Sequence, residues 1–216
     1  MKSFVVIGMG RFGSNLTKTL AELGHEVLAI DEDIKKIQEI SNYVTNAVVC
    51  DYRDENALKS LGIRNFDCAV IAISNDVEAN IFLTLMLKDM GVPYVMAKAV
   101  TDLHARVLTQ VGADKVVFPE KDMGFKVAQS LTAANILDFI DLSDEYSIVE
   151  LKMPSKWTGK SLRQLKLRTE YGINVVAMKN LEDDSIDISP NPDYIFKEND
   201  ILVIIGSSND ISKIPS

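Results

Sequence analysis

The sequence is poor in the residues that cross-link small proteins. It has two cysteines, Cys50 and Cys68, in 216 residues. They lack the C-x-x-C spacing and the partner histidine that a reactive thiol pair would need. We therefore interpret both as buried small hydrophobic residues rather than as a redox pair. Without disulfides, a chain of this length can still bury one large core or two of ordinary size.

Long hydrophobic runs and an excess of basic residues are also missing. The longest apolar runs, such as 201–205, have the length of a strand, whereas a membrane-spanning helix needs about 20 residues. The first strand begins near Phe4, which leaves no room for a signal peptide. A net charge of −8 disfavours binding to nucleic acid or to an anionic membrane. We expect a cytoplasmic protein.

The first 118 residues alternate short apolar segments with amphipathic ones. This alternation predicts βαβ units that form a doubly wound parallel sheet of Rossmann type, an α/β fold. Segments with an apolar face at helical spacing lie between the strands and are predicted to be helices. These predicted helices end at Gly24, Gly62, Gly91 and Gly112. The predicted strands are 4–7, 26–30, 44–50, 68–73, 94–97 and 115–118.

The pattern changes after Pro119. A long crossover helix is predicted from about Glu120 to Ile140, and a small α+β module follows from Tyr146. Its predicted strands are 147–153, 173–178, 186–188 and 201–205, with a short helix through Leu162, Leu165 and Leu167. We therefore predict three parts: a nucleotide-binding domain at 1–119, a crossover helix at 120–144 and a ligand-binding domain at 145–216.

A glycine-rich loop joins the first predicted strand to the first helix. It reads Gly8-Met9-Gly10-Arg11-Phe12-Gly13. In such a loop the first glycine permits the turn, the second lets a phosphate approach the backbone, and the third lets the helix pack on the strand. The alternative is a sharp turn without a ligand, but the strand and helix on either side favour phosphate binding at the helix N-terminus.

Two charged residues narrow the range of candidate ligands. Asp31 ends the second strand, where a carboxylate accepts hydrogen bonds from ribose hydroxyls and repels a 2′-phosphate, so NADP is disfavoured. Asp31 could also cap the helix that begins near Ile34. Arg11 places a positive charge inside the loop, which suits a terminal phosphate. ATP and ADP therefore stand beside NAD and NADH as candidate ligands.

Other candidates follow the carboxyl ends of the strands, where ligands bind in open α/β sheets. Asp51 could meet an adenine amino group and Lys98 could approach a phosphate, although each could equally be a helix cap or a surface charge. The strand-end candidate segments are Cys50-Asp51-Tyr52 and Ile73-Ser74-Asn75-Asp76, from which we also assign Tyr52, Ile73 and Asn75 to the nucleotide site.

Catalytic groups are not evident. His25 and His104 are interpreted as helix-terminal and surface residues, and no metal-ligand spacing or nucleophile elbow occurs. Gly159-Lys160-Ser161 lacks the first glycine of a P-loop, because Pro154 stands in its place. We expect a sensor rather than an enzyme. The alternatives are an NAD-dependent oxidoreductase and, less favoured by the acidic charge, a nucleotide-dependent transcriptional regulator.

Several motifs together resemble the RCK (regulator of potassium conductance) family, and its cytosolic Ktr-type potassium uptake subunits in particular. In the N-terminal part they are Val6–Gly13, Gly24–Val27, Ala113–Glu120 and Asp122–Gly124. In the C-terminal part they are Gly159–Leu162, Tyr171–Val175 and Asn199–Val203, which are similar to the C-terminal RCK domain. The resemblance covers nearly the whole chain.

The resemblance implies dimers that assemble into an octameric ring and attach to a membrane potassium-translocating subunit at the inner face of the cell membrane. ATP would favour the active form and ADP the inactive form, with Arg11 reading the terminal phosphate. Asp31, Lys36, Asp51 and Lys98 fall on nucleotide-contacting positions. Glu120 matches an acidic position that holds a divalent or monovalent cation near the phosphates across a dimer interface; it could otherwise be a carboxylate near a helix N-cap.

The resemblance also implies a second ligand, cyclic di-AMP, held between two copies of the C-terminal domain on a mainly apolar patch. The positions carried over are Leu167, Arg168, Ile173, Asn174 and Pro190. The same residues are also compatible with an ordinary small core.

Overall fold

The protein consists of two compact units, Met1–Lys121 and Asp122–Ser216. They are seen in a computed structural model that describes residues 1–132, 136–143, 145–180 and 185–215. Among these residues, no helix has both the length and the apolar character that a bilayer crossing requires.

The first unit is built on a six-stranded parallel sheet with the strand order β3-β2-β1-β4-β5-β6. This order confirms the predicted Rossmann-type fold, with the chain reversing direction across the sheet between β1 and β4. The strands are β1 (Ser3–Ile7), β2 (Glu26–Asp31), β3 (Asn46–Val49), β4 (Cys68–Ile71), β5 (Tyr94–Lys98) and β6 (Lys115–Val117).

Helices cover the sheet on both faces. They are α1 (Arg11–Glu22), α2 (Ile34–Ile40), α3 (Glu55–Ser60), α4 (Val77–Asp89) and α5 (Asp102–Gln110). A further helix, α6 (Pro119–Thr132), follows β6 along the chain. Alternate residues of β1 enter different cores: Val5 and Ile7 join one cluster, and Val6 joins the other. Burial on both faces explains why these strands are almost continuously apolar.

Side-chain caps mark where most helices of this unit begin. Asp33, Asp54, Asp76 and Thr101 accept backbone N–H groups in the first turns of α2, α3, α4 and α5. Helix α1 differs, because its N-cap is Gly10, which offers no side-chain acceptor. The first-turn amides of α1 therefore lack the side-chain partner that the other N-termini have.

The second unit contains an antiparallel sheet whose described strands have the order β10-β9-β11-β8-β7. Its core surrounds the buried side chains of Trp157, Phe196 and Ile204. The strands are β7 (Ile136–Asp141), β8 (Tyr146–Lys152), β9 (Asn174–Asn180), β10 (Ile186–Asp187) and β11 (Asp200–Ser207), and the short helices are α7 (Leu162–Leu165), α8 (Leu167–Tyr171) and α9 (Ser208–Ile211).

The predicted long helix from Glu120 to Ile140 is wrong in its second half. Helix α6 ends at Thr132, and the chain from Ile136 forms strand β7, which pairs with β8 in antiparallel register. A short apolar run is compatible with either a helix or a strand. Here the segment pairs with the neighbouring strand β8 from Ile136 to Asp141, with one register shift between Ile136 and Asp138, and that pairing decides its structure.

The predicted short helix through Leu162, Leu165 and Leu167 is interrupted. Lys166 adopts a left-handed conformation with φ 47° and separates α7 from α8. Ser161 and Gln164 form a reciprocal capping box at the start of α7. The turn changes the direction of the chain between these two short helices.

His104 and the cysteines also differ from expectation. His104 was expected at the surface but is only 4% exposed, because it shares the buried face of α5 with Leu108, one turn later. Desolvation lowers its pKa. Cys50 and Cys68 are half-buried rather than fully buried. Burial raises the pKa of the Cys68 thiol to about 11, which opposes redox reactivity at neutral pH.

The close packing at Gly13 predicts that a side chain there destabilises the fold. A Cβ atom at this position would lie 1.9 Å from the carbonyl oxygen of Gly8, so Gly13→Ala must displace backbone. We expect the free energy of unfolding to fall by about 3 kcal/mol in denaturant titrations. Gly10→Ala is the control, because a Cβ there meets nothing within 4 Å; its cost should stay within about 1 kcal/mol. Equal stability of the two variants would contradict this packing.

Candidate nucleotide-binding site

The candidate site lies in the first unit, at the carboxyl ends of β1, β2 and β4. This is the position that the sheet order assigns to ligands, beside the point where the winding reverses. A cavity of about 220 Å³ opens there. Its lining consists of Gly8, Gly10, Asp31, Glu32, Asp33, Lys36, Tyr52, Ala72, Ile73, Ser74, Asn75 and Asp76.

Each glycine of the loop has a distinct geometric role. Gly8 turns the chain with φ +100°, a conformation that side chains disfavour. Gly13 lets α1 approach the carbonyl of Gly8 closely, whereas Gly10 borders open space. An uncapped helix N-terminus beside open space is suited to an anion, because the helix dipole and the free amides favour negative charge there.

Asp31 holds the loop in place from the end of β2. Its carboxylate is 5% exposed and accepts the N–H of Met9 at 2.6 Å and the N–H of Asp33 at 2.8 Å. The Lys36 ammonium group approaches the same carboxylate at 3.1 Å. Lys36 also reaches the second carboxylate oxygen, at 3.2 Å. Four hydrogen bonds therefore use the roughly four acceptor positions of the carboxylate, and a ribose hydroxyl would have to replace one of these donors. The alternative role as a cap of α2 is wrong, because Asp33 caps that helix.

The structure brings seven of the predicted residues to the cavity wall and places the others elsewhere. Gly8, Gly10, Asp31, Lys36, Tyr52, Ile73 and Asn75 line it. The side chain of Met9 instead enters the core, where the Thr17 hydroxyl donates to its sulfur. Asp51 lies outside the cavity and accepts the N–H of Arg53. Asp51 is not a helix cap either, since Asp54 caps α3.

Lys98 and Glu120 form a second feature near the glycine loop. The Lys98 side chain is 5% exposed, and its ammonium group donates to Glu120 at 2.6 Å, so Lys98 is not a surface charge. Its Nζ lies 5.9 Å from the ring centroid of Phe12, within the range of a cation–π contact. The hydrogen bond from Lys98 lowers the pKa of Glu120, and the charge of Arg11 lowers it further.

Sequence reasoning missed several residues of this region. Glu32 and Asp33 line the cavity, and Asp33 could have been recognised as a helix cap. Ser74 and Asp76, from the strand-end segment singled out in the sequence, line it as well. Asn80 is fully buried in α4, and its amide group donates to the carbonyls of Ile73 at 2.8 Å and Lys98 at 2.9 Å. It thereby ties together the ends of β4 and β5. No pattern signalled it, because it stands at an apolar helical position.

Metal ligation by this chain alone has little support. In the part of the chain that the structure describes, no group of three or more His, Cys, Asp or Glu side chains could hold a metal ion. Glu120, the predicted cation ligand, has a side chain that is 63% exposed and is paired with Lys98. A cation beside Glu120 would need further ligands from phosphate oxygens or from a second copy of the chain.

In the second unit, a groove of about 650 Å³ runs along α7, α8 and the start of β9. Four of the predicted second-messenger residues line it, namely Leu167, Arg168, Ile173 and Asn174, whereas Pro190 does not. Leu167 and Ile173 belong to the core, while Arg168 and Asn174 are exposed. The groove therefore combines an apolar floor with polar and cationic edges.

Comparison with known proteins now identifies the family. A TrkA-N domain model matches residues 4–119, and a TrkA-C domain model matches residues 146–214. The chain belongs to the TrkA-N/TrkA-C family of RCK proteins. The resemblance seen in the sequence motifs is therefore confirmed.

The relatives of this RCK chain include potassium uptake proteins of similar length. Ktr system potassium uptake protein A of Bacillus subtilis is 46% identical over 98% of this chain and 95% of its own length. Ktr system potassium uptake protein C of the same organism is 42% identical, with the same coverage. Both are named as potassium uptake proteins, which supports a regulatory role in potassium transport for this chain.

Solved structures confirm the fold. The GsuK channel has a TM-score of 0.70 at 17% identity, covering 98% of this chain and 38% of the channel chain. The GsuK channel bound to NAD has a TM-score of 0.66 at 16% identity, covering 97% of this chain and 38% of that one. At such low identity, the likeness shows a shared architecture.

The ion pair between Lys98 and Glu120 predicts a pH dependence. Glu120 has a lowered pKa in the folded protein, so it stabilises the fold above its unfolded pKa and loses this effect as the pH falls through the folded value. We expect wild type to be more stable than Glu120→Gln at neutral pH, with the two converging in acid. Denaturant titrations from neutral pH to pH 3 measure this difference.

Glu39→Gln is the matched control, because Glu39 is an exposed glutamate of α2. Its stability difference from wild type should show no comparable decline in acid. A Glu120→Gln difference that stays constant with pH would contradict the ion pair.

Proposed function

We propose that the chain is the nucleotide-sensing regulatory subunit of a potassium uptake system and that ATP and ADP bind in the cleft of its first unit. The observation that carries the proposal is the uncapped N-terminus of α1, which lies beside open space at Gly10. The resemblance to Ktr-type subunits, and relatives named as potassium uptake proteins, supply the transport context.

The cleft suggests how a nucleotide lies. The phosphates would meet the first-turn amides of α1, where Gly10 leaves room for close approach. The ribose would contact Asp31 by replacing the exposed Lys36 ammonium group there, and the base would reach the wall formed by Tyr52 and Ile73. A carboxylate at the ribose also disfavours a 2′-phosphate, so NAD or NADH is the alternative ligand and NADP is not.

The charged groups near the glycine loop would discriminate between ATP and ADP. Arg11 is exposed and close enough to Glu120 to lower its pKa. A terminal phosphate near Arg11 and Lys98 would compete with Glu120 for the Lys98 ammonium group. Glu120, once released, could ligate a cation together with phosphate oxygens and a Glu120 from a second copy.

The signal would pass to a membrane potassium-translocating subunit through a homo-oligomer, for which the family resemblance implies an octameric ring attached at the inner face of the membrane. A nucleotide can shift the ring between two states only if it binds one of them more tightly. The charge difference between ATP and ADP at Arg11 would supply that differential affinity.

Cyclic di-AMP is a second candidate ligand, bound by the groove of the second unit. The specific observation is that Arg163, Lys166 and Arg168 surround its apolar floor, an arrangement suited to a dinucleotide with two phosphodiesters. Equilibrium binding of cyclic di-AMP to the full chain, with cyclic di-GMP as the comparison, tests this part of the proposal. Equal weak binding of both would reject it.

Arg11→Ala tests the nucleotide proposal directly. Losing a hydrogen bond from a charged donor to the terminal phosphate should weaken ATP binding about tenfold or more, with a smaller effect on ADP. Calorimetric titration of the full chain with each nucleotide measures both affinities. Arg106→Ala, which removes an exposed arginine from α5, is the matched control and should bind both as wild type does.

Unchanged ATP and ADP affinities in Arg11→Ala, with normal regulation of potassium uptake, would contradict the assigned role of Arg11. Steady-state turnover of NADH by the purified chain would favour the oxidoreductase alternative instead.

A further inference from the structure

Arg53 joins carboxylates from two different walls of the cleft. It follows β3, and its guanidinium group lies 2.7 Å from Glu32 and 2.5 Å from Asp76. Glu32 comes directly after β2, whereas Asp76 precedes α4, on the chain that leaves β4. Both carboxylates line the cavity in which we place the nucleoside.

The strand order shows that this contact joins loops from strands that are not neighbours in the sheet. In the sheet, β2 and β1 separate β3 from β4. Neighbouring strands are spaced about 4.8 Å apart, so the ends of β3 and β4 are roughly 14 Å from each other. An arginine side chain reaches only about half of this distance, so the loops after β3 and β4 must approach each other for Arg53 to contact Asp76. Arg53 then links these two loops on the adenosine side of the cleft, because its guanidinium group presents separate donors to two carboxylates.

Fold stability does not account for the contact. Asp76 already caps α4 by accepting the N–H of Ala79 at 2.8 Å, and this bond does not involve Arg53. The Arg53 side chain is 47% exposed, and exposed ion pairs contribute little to stability. Its Cζ atom also lies 5.0 Å from the ring centroid of Tyr52, which forms part of the cavity wall. Arg53 therefore contacts three residues of the proposed nucleoside site.

The positive charge of Arg53 also affects the electrostatics of the cavity rim. The rim of the cavity carries Asp31, Glu32, Asp33 and Asp76, which together would repel an anionic ligand. Arg53 neutralises part of this rim while it links the two walls. The link is surface-accessible and electrostatic, so it can open and re-form without unfolding either wall.

We propose that Arg53 is a strap across the adenosine end of the cleft, which must open for a nucleotide to enter and which closes behind it to slow release. This role for Arg53 depends on the nucleotide site proposed above. Arg53 acts as a positioning residue through Glu32 and Asp76, so its removal changes the rates of binding in both directions rather than affinity alone.

Stopped-flow kinetics with a fluorescent ADP analogue and the full chain test the strap. Arg53→Gln should speed both association and dissociation by about two- to fivefold, the range expected for breaking an exposed ion pair. Asp76→Asn opens the strap from the opposite wall and keeps an α4 cap, because asparagine also caps helices. It should show the same acceleration, and the double variant should be no faster than either single variant.

Arg64→Gln is the charge-matched control. Arg64 is exposed and lies in the short helical turn Ile63–Asn65 before β4, at the amino ends of the strands, whereas the cleft is at their carboxyl ends. The rates of this variant should therefore match wild type. Wild-type rates in Arg53→Gln would overturn the strap. Slower association with unchanged dissociation would also overturn it, because that result indicates that Arg53 acts only by attracting the charged ligand. Failure of wild type to bind the analogue at all would instead overturn the nucleotide site itself.

Discussion

The close approach of α1 to the end of β1 is the constraint on which the rest of the first unit depends. Gly13 brings the helix so near the carbonyl of Gly8 that any side chain would collide with backbone. Asp31 then fixes the loop from the neighbouring strand by accepting the N–H of Met9. With the helix start held in this way, its N-cap residue Gly10 lines the cavity, and the first-turn amides have no side-chain cap.

Much of the fold could be predicted because its signals are local. Apolar β-branched strands separated by helical faces indicate a parallel sheet, and the general rule for such sheets predicts a ligand site where the winding reverses, between β1 and β4. The segment from Ile136 to Ile140 could not be assigned locally, since its apolar run suits a helix or a strand and only pairing with β8 decides. His104 was misplaced because the buried face of α5 is set by packing.

The geometry of the candidate site could be predicted where it depends on the backbone, as at Gly8, Gly10 and Gly13. It was less predictable where it depends on which side chains meet. Asp33 rather than Asp31 caps α2, a difference of two residues that the sequence pattern cannot resolve. Arg53 and Asn80 join strand ends that are far apart in sequence, so their contacts follow from the sheet order and from nothing within their own segments.

The central claim is that nucleotide phosphates bind the N-terminus of α1. Hydrogen–deuterium exchange of the full chain, with and without ADP, tests it most directly because it follows backbone amides without any substitution. The account predicts slower exchange at the amides of Arg11, Phe12 and Gly13 when ADP is present. Protection confined to the groove residues of the second unit, or no protection at saturating ADP, would contradict it.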